Sequence, residues 1–162
     1  MGSSRLDNPP VVTTAMLIRK PVAEVFRAFT DPAVTTRFWF TESTGPVAAG
    51  AELRWTWGMY GVSADVRVKE FEQDSRFVAE WRNGPTPTTF EMRFTARSEA
   101  TTLVELVETG FGGDDADEVV AWAIGSMGGF TEAIAAAKAL LEHGVVLTLV
   151  ADRHPDGVPG AE

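Results

Sequence analysis

The residues that could carry metal or acid–base chemistry are few in this chain. Cysteine is absent, which excludes disulfides and thiolate metal ligands. The two histidines, His143 and His154, lie at the end of a predicted helix and in the C-terminal tail, and no H-E-x-x-H or comparable spacing is present. We therefore predict no metal site and no cofactor. His143 is interpreted as a residue that stabilises a helix C-terminus.

Two glycine-rich segments and an acidic run share features with functional motifs. In the segment GSMG, Ser126 lacks the G-x-S-x-G register of a nucleophile elbow and lies inside a predicted helix, so we interpret it as a small packing residue. The segment GFGGDD has no following Lys-Ser or Lys-Thr, which excludes a P-loop. The run DDADE falls within one helical turn and cannot wrap a cation, so a helix cap is the better interpretation.

One carboxylate is a candidate for acid–base catalysis. The run TTLVELVET alternates as a strand does, and its parity places Val104, Leu106 and Glu108 on the inward face. A carboxyl group among apolar side chains can act as a general acid or base. A bulge or a one-residue shift would turn Glu108 outward instead. No acid–base partner for Glu108 is identified in the sequence.

The composition is typical of one globular domain. The chain has 162 residues, of which 44% are hydrophobic and 23% charged, enough to bury a substantial core. A net charge of −9 without a Lys/Arg cluster argues against nucleic acid as a partner. No apolar run reaches the ~18 residues of a membrane span, and the N-terminus MGSSRLDNPP lacks the apolar core of a signal peptide. We expect a cytoplasmic protein.

The spacing of apolar residues predicts an α+β fold. The run VVTTAMLI predicts a strand over residues 11–18, followed by two short helices, one from Pro21 to near Thr30 and one from Pro32 through AVTTRFWF. Five later segments alternate between apolar and charged residues, as antiparallel strands with one dry face do: AELRWTW, VSADVRVKEF, RFVAEW, FEMRF and TTLVELVETGF. A further short strand near residues 46–48 makes six or seven strands in all.

A long C-terminal helix is predicted to cover the dry face of the sheet. It begins at DDADE, ends before Gly144 and has about 28 residues. Glycines 125, 128 and 129 each cost ~1 kcal/mol relative to alanine inside a helix. We interpret them as positions of close approach to the sheet or of a kink, which would also leave space between helix and sheet. The apolar stripe of this helix comprises Val119, Ala123, Met127, Phe130, Ile134, Ala137 and Leu141.

The inward faces of the sheet and helix are rich in aromatic side chains. Such residues line small-molecule pockets, and they equally form plain hydrophobic cores. Trp39 and Phe40 are placed near a pocket mouth, where the helical pair meets the sheet, and Tyr60 is a second mouth residue in the turn GMYG. The candidate ligand-binding residues are Trp39, Phe40, Trp55, Trp57, Tyr60, Trp81, Phe90, Met92, Phe94, Leu106, Trp122, Met127 and Phe130.

Four segments carry a resemblance to a known family. They are PVAEVFRAFTDPAVTTRFW, RFVAEW, TTFEMRFTARSEATTLVELVETGF and GGFTEAIAAAKALLEHG, and the resemblance covers roughly Val11 to Gly144. The chain resembles the START-like (helix-grip, SRPBCC) superfamily and, within it, the bacterial homologues of the heat-shock-protein-90 ATPase activator. Phe130 follows Gly129 where the family commonly has tryptophan. The resemblance implies a helix-grip fold, a curved antiparallel sheet wrapped around the C-terminal helix.

The resemblance implies several functions, because the superfamily includes lipid carriers, polyketide cyclases, hormone receptors, antibiotic-sequestering proteins and co-chaperones. The leading hypothesis is a protein that binds a small hydrophobic molecule, aromatic or lipid-like, between sheet and helix. The alternatives are a cyclase- or hydrolase-like enzyme that uses Glu108, and a chaperone ATPase-stimulating protein. For the last, the acidic residues Glu52, Asp65, Glu80 and Glu91 on the outer face could meet a basic partner.

The expected domain organisation has three parts. Residues 1–10 are expected to be a disordered N-terminal segment, and residues 11–144 to form the helix-grip domain. Residues 145–162 are expected to form a C-terminal extension that packs on the domain at first and is then disordered. The oligomeric state is left open.

Overall fold

A computed structural model describes residues 6–158 of the chain. The predicted α+β helix-grip fold is confirmed: seven antiparallel strands form one sheet, and a long helix near the C-terminus packs against it. The strand order is β1-β7-β6-β5-β4-β3-β2. The elements are β1 (Val12–Ile18), α1 (Val22–Thr30), α2 (Pro32–Thr35), β2 (Glu42–Ser43), β3 (Glu52–Trp57), β4 (Val62–Glu72), β5 (Arg76–Trp81), β6 (Thr88–Ser98), β7 (Thr101–Thr109), α3 (Ala116–His143) and α4 (Leu149–Asp152).

The predicted strand near residues 46–48 is wrong, because the short edge strand is β2. Glu42 pairs with Thr56, and the backbone N–H of Thr41 donates to the carbonyl of Thr56 at 2.8 Å. The N–H of Val47 instead donates to the carbonyl of Thr30 at 2.9 Å, so this residue anchors the chain to the end of α1. Its apolar side chain is buried there without strand pairing.

The second short helix ends earlier than predicted. It stops at Thr35, and the segment Phe38–Phe40 that was predicted to continue it is irregular and buried. Asp31 caps the helix by accepting a hydrogen bond from the backbone N–H of Ala33 at 3.0 Å. This early end lets three consecutive aromatic side chains reach the core, whereas a helix would have turned at least one of them outward.

Helix α3 begins and ends as the sequence predicts. The carboxylate of Asp115 accepts hydrogen bonds from the backbone N–H groups of Asp117 and Glu118, and Gly144 adopts the left-handed conformation at φ 65°. By length and composition α3 could cross a membrane, but here it is a core helix packed beside β1. Its fully buried residues are Val119, Ala123, Phe130, Ala133, Ile134, Ala136, Ala137 and Leu140.

Two predictions about α3 are wrong. Met127 is 47% exposed and does not belong to the buried stripe, whereas Leu141 is half-buried and packs against the core as predicted. The glycines do not mark close approach to the sheet either. A Cβ atom at Gly125 or Gly129 would meet no atom of another element within 4 Å. A Cβ at Gly128 would lie 2.4 Å from the guanidinium of Arg153, which belongs to the C-terminal segment.

The C-terminal end of α3 is tied to the end of β1 by Glu142. Its carboxylate accepts from the backbone N–H of Arg19 at 3.0 Å and from the ammonium of Lys138, whose Nζ also donates to the carbonyl of Leu17 at 2.8 Å. The side chain of Glu142 is only 9% exposed. Burial alone would raise the pKa of Glu142, but these two hydrogen bonds and the Lys138 charge hold it below its usual range.

This arrangement predicts pH-dependent stability. Because the folded-state pKa of Glu142 is depressed, its contribution is complete above the unfolded-state pKa and is lost as the pH falls through the folded value. Glu142→Gln should lower the free energy of unfolding by about 1–2 kcal/mol at pH 7, and the difference from wild type should shrink at acid pH. Urea unfolding of both proteins at several pH values measures this. Glu99→Gln, at an exposed turn, is the control, and an unchanged gap at acid pH would contradict the prediction.

Candidate functional site: the aromatic interior and its buried carboxylate

Glu108 lies fully buried on β7 and accepts hydrogen bonds from three side chains. Its Oε2 accepts from Nε1 of Trp81 at 2.9 Å and from Oγ1 of Thr88 at 2.6 Å, and its Oε1 accepts from Oγ of Ser126. The strand register explains the first two contacts. Trp81 of β5 pairs with Thr88 of β6, and Phe90, two residues after Thr88 on the same face of β6, pairs with Glu108 of β7. The inward orientation that strand parity predicts for Glu108 is confirmed.

Ser126 and Thr88 are the polar partners that the sequence interpretation missed. Ser126 comes from α3, so Glu108 links three strands of the sheet to the helix above it. At about 100° per residue, Ser126 lies about 60° from Ala123 and 40° from Phe130 around the helix, within the buried arc. A polar residue can occupy this position because Glu108 faces it. None of the three partners is ionisable, so the cluster offers a hydrogen-bonding anchor rather than an acid–base pair.

Aromatic rings surround this carboxylate and form what we call the central ring cluster. Phe40 stacks on Trp55 with a centroid distance of 4.5 Å. Phe130 of α3 contacts Trp39 at 5.6 Å and Trp81 at 5.5 Å, so helix and sheet interlock through rings. These seven candidate residues are brought together as a group: Trp39, Phe40, Trp55, Trp57, Trp81, Phe90 and Phe130.

Within the cluster, Trp39 and Phe40 are buried rather than placed at a mouth, which corrects their predicted position. Trp57 lies at the margin and is half-buried. The indole N–H of Trp55 is buried without a hydrogen-bond partner among the described residues. An unpaired donor in an apolar interior is costly, and an acceptor supplied by a ligand or by water would relieve that cost.

The other candidate residues make no ring contact with the central ring cluster. Phe94 belongs to a second group beneath α1, with Phe26 at 5.1 Å and Phe77 at 6.3 Å. Met92 and Leu106 are buried on the inward face, in keeping with their parity. Met127 points outward on α3 and lines no part of the interior.

Trp122 packs at the edge of the interior, where it was predicted to face the sheet aromatics. Its ring meets Phe111 edge-on at 4.8 Å. The loop between β5 and β6 crosses the same indole, so closely that a Cβ at Gly84 would lie 2.4 Å from the ring. The indole N–H of Trp122, like that of Trp55, is buried and unpartnered among the described residues.

Two cavities in the described part of the chain lie outside the space between the sheet and α3. One, of about 730 Å³, is a groove on the outer face lined by Arg54, Asp65, Arg67 and Glu80 among others. Ion pairs of Arg54 with Asp65 at 3.3 Å and of Arg67 with Glu52 at 3.4 Å balance its charge. The predicted acidic outer face is therefore a face of mixed charge.

The second cavity, of about 280 Å³, separates α1 and α2 from the end of α3. The aromatic interior itself is occupied by its own buried side chains in this structure. Among the described residues there is no group of three His, Asp or Glu side chains that could hold a metal ion.

Structural comparison places this fold among known proteins. A protein of Staphylococcus saprophyticus aligns with a TM-score of 0.71 at 24% identity, covering 85% of this chain and 96% of the other. The Aha1 dimer of Colwellia psychrerythraea aligns at 0.68 and 14% identity, covering 83% and 98%. An HSP90 activator from Plasmodium falciparum aligns at 0.64 and 15% identity, covering 82% and 96%.

Sequence comparison is more specific about the family. A search of curated proteins gave no significant match. The family model described as activator of Hsp90 ATPase homolog 1-like protein, however, matches residues 19–142, from the turn after β1 to the end of α3. This range includes Glu108, Ser126 and the whole central ring cluster. The chain therefore belongs to the family of activator of Hsp90 ATPase homolog 1-like proteins.

Proposed function

We propose that the protein binds a small, largely apolar molecule, aromatic or lipid-like, between the sheet and α3, with Glu108 and Ser126 as its polar anchor. The observation that carries the proposal is a fully buried carboxylate set among aromatic rings and linked to a half-buried hydroxyl on the helix. Ligand pockets of this kind combine apolar walls with a few fixed polar groups.

Entry of a ligand requires the rings to separate, since they fill the interior. Two features favour this separation at the edge near the β3–β4 turn. Trp57 is half-buried there, and Gly129 leaves space beside α3, because a Cβ atom at this position would meet no atom of another element within 4 Å. A ligand that inserts between the sheet and α3 would meet Ser126 on the helix side and Glu108 on the sheet side.

Native mass spectrometry with a mixture of aromatic polyketides, lipids and hydrophobic metabolites tests the proposal. A stoichiometric adduct with unchanged ligand mass would support a binding protein. Glu108→Gln should weaken that adduct, because it alters the polar anchor, whereas Glu105→Gln, on the same strand but on the other face, should leave it intact. Absence of any adduct under gentle conditions would contradict the proposal.

An enzyme of the cyclase or hydrolase type is the alternative use of the same site. It would show an altered ligand mass in this experiment, and Glu108→Gln would then abolish turnover while leaving binding largely intact. The partners of Glu108 favour binding over catalysis, because Trp81, Thr88 and Ser126 offer hydrogen bonds but no second ionisable group.

Stimulation of a chaperone ATPase is the second candidate function. The family match and the likeness to a protein described as an HSP90 activator favour it. The mixed-charge groove on the outer face would be the contact surface, and acidic groups of the partner would compete with Asp65 and Glu52 for Arg54 and Arg67. An Hsp90 ATPase assay with the purified protein tests this function. An Arg54→Glu/Arg67→Glu variant should reduce any stimulation, and an unchanged ATPase rate with the wild-type protein would exclude it for that chaperone.

A further inference from the structure

We infer that residues 145–158 form a displaceable lid over the aromatic interior, held shut by Tyr60 and Arg153. The inference rests on the proposed function, because it assigns the lid to the entrance of the same site. The segment lies beyond the family match, which ends at residue 142. It runs back from the end of α3 and spans the space between that helix and the β3–β4 turn.

Tyr60 holds the lid on the sheet side. Its hydroxyl donates to the carbonyl of Val150 and, at 3.1 Å, to that of Ala151, and it accepts from the backbone N–H of His154 at 3.3 Å. The ring also meets the imidazole of His154 edge-on, at a centroid distance of 5.8 Å. Tyr60, a single residue of the β3–β4 turn, thus contacts the backbone of both α4 and the residues that follow it.

Arg153 holds the lid on the helix side. Its guanidinium donates to the carboxylate of Glu132 at 2.7 Å and to the carbonyl of Gly125 at 3.4 Å. It lies directly over Gly128, and a Cβ atom there would come within 2.4 Å of the guanidinium. The absence of a side chain at Gly128 therefore leaves room for the Arg153 guanidinium in this position.

The lid closes the interior with few apolar contacts. Leu149 and Val150 are half-buried and pack against the core, and no residue of α4 is fully buried. The stretch 145–147 that leads to them is exposed. For segments with so little buried apolar surface, the free energy of local opening is a small fraction of the free energy of global unfolding. Opening the lid would uncover the edge of the interior beside residues 125–129 of α3, next to Ser126.

Thiol labelling measures this opening without any ligand. Because the chain has no cysteine, a single Val150→Cys substitution gives one thiol, shielded when the lid is shut. Adding Tyr60→Phe or Arg153→Gln should raise the labelling rate of this thiol at least tenfold. A thiol introduced by Val146→Cys, at a position exposed with the lid shut, should label at the same rate with and without the latch substitutions. Equal rates at position 150 would overturn the inference.

A second measurement links the lid to the entrance and shows that the variants are folded. Hydrogen exchange of β6 and β7 should be unchanged by Tyr60→Phe, while exchange of residues 148–157 increases. Association of 1-anilinonaphthalene-8-sulfonate, followed in stopped flow, should accelerate at least tenfold in the same variant. Faster labelling with an unchanged association rate would overturn the assignment to the entrance. If the labelling shows that the lid opens but native mass spectrometry detects no adduct, the result would contradict the proposed function and not the lid.

Discussion

Replacing Glu108 by alanine is expected to lower the free energy of unfolding by about 4 kcal/mol. The substitution removes the acceptor of two buried donors, the indole N–H of Trp81 and the hydroxyl of Thr88. Each buried donor left without a partner costs about 1–3 kcal/mol. The hydroxyl of Ser126 loses less, because it is only partly buried and can turn to water. Chemical denaturation followed by tryptophan fluorescence measures the loss.

Glu108→Gln is the matched variant for this experiment. The glutamine oxygen can accept from Trp81 and Thr88 in place of Oε2, and its amide can donate to the hydroxyl of Ser126, so we expect a loss of about 1 kcal/mol. If alanine and glutamine destabilise the protein equally, the hydrogen bonds of Glu108 do not stabilise the fold. The carboxylate would then be retained for another reason.

Phe130→Ala is expected to cost about 3–5 kcal/mol. Phe130 is the α3 residue whose ring contacts Trp39, Trp81 and Phe90, at centroid distances of 5.6, 5.5 and 5.3 Å. Removing it leaves a cavity lined by aromatic rings between helix and sheet. Thermal or urea unfolding measures the loss. Ile124→Ala, at a position 65% exposed on the same helix, should change stability by no more than about 0.5 kcal/mol.

The same variant tests how well the interior is filled. An apolar cavity of this kind stays dry and binds small aromatic molecules. Benzene at saturating vapour should therefore raise the Tm of Phe130→Ala by about 2–4 °C for each kcal/mol of binding free energy. The wild-type protein, in which the rings must separate before a molecule can enter, should show a smaller increase. An equal increase in both would contradict a ring-filled interior and would point to a pre-existing cavity.

The fold and the inward residues of the sheet were predictable because strand periodicity is simple. With a period of two, one correct strand assignment orients every side chain of the strand. The alternation in β7 alone therefore predicts that Glu108 points inward. The β4–β5 register shift between Val68 and Glu70 shows how parity can fail locally. No such shift interrupts β7 between Val104 and Glu108.

The helix was less predictable, because hydrophobicity alone defined its stripe. Ala123 and Phe130 are seven residues apart, and either Ser126 or Met127 can bridge them along the helix. Hydrophobicity favours Met127 for the buried stripe. The buried arc of α3 passes through Ser126 instead, because the Ser126 hydroxyl donates to Glu108 of β7. A long-range polar pair of this kind leaves no periodic trace in the sequence of either segment.

The role of Gly128 was hidden for a similar reason. The residue over Gly128 is Arg153, which belongs to the C-terminal segment 145–158, and this segment has no strong apolar periodicity. The same segment is held by Tyr60, the one tyrosine of the chain. Local propensity marks an unusual glycine as costly. Only the tertiary path of the chain shows which segment requires the space.

The position of β1 in the sheet has a consequence for biosynthesis. Within this sheet β1 leaves the ribosome before the other strands, but its neighbour is β7, which leaves after them, with Val12 opposite Glu108. At about 5–20 residues per second, roughly 5–20 s pass between their synthesis. During this interval β1 and the apolar face of α1 have no partner strand at their edge. We therefore expect nascent chains to need chaperone protection until β7 and α3 have emerged, and this sheet to be completed only after that point.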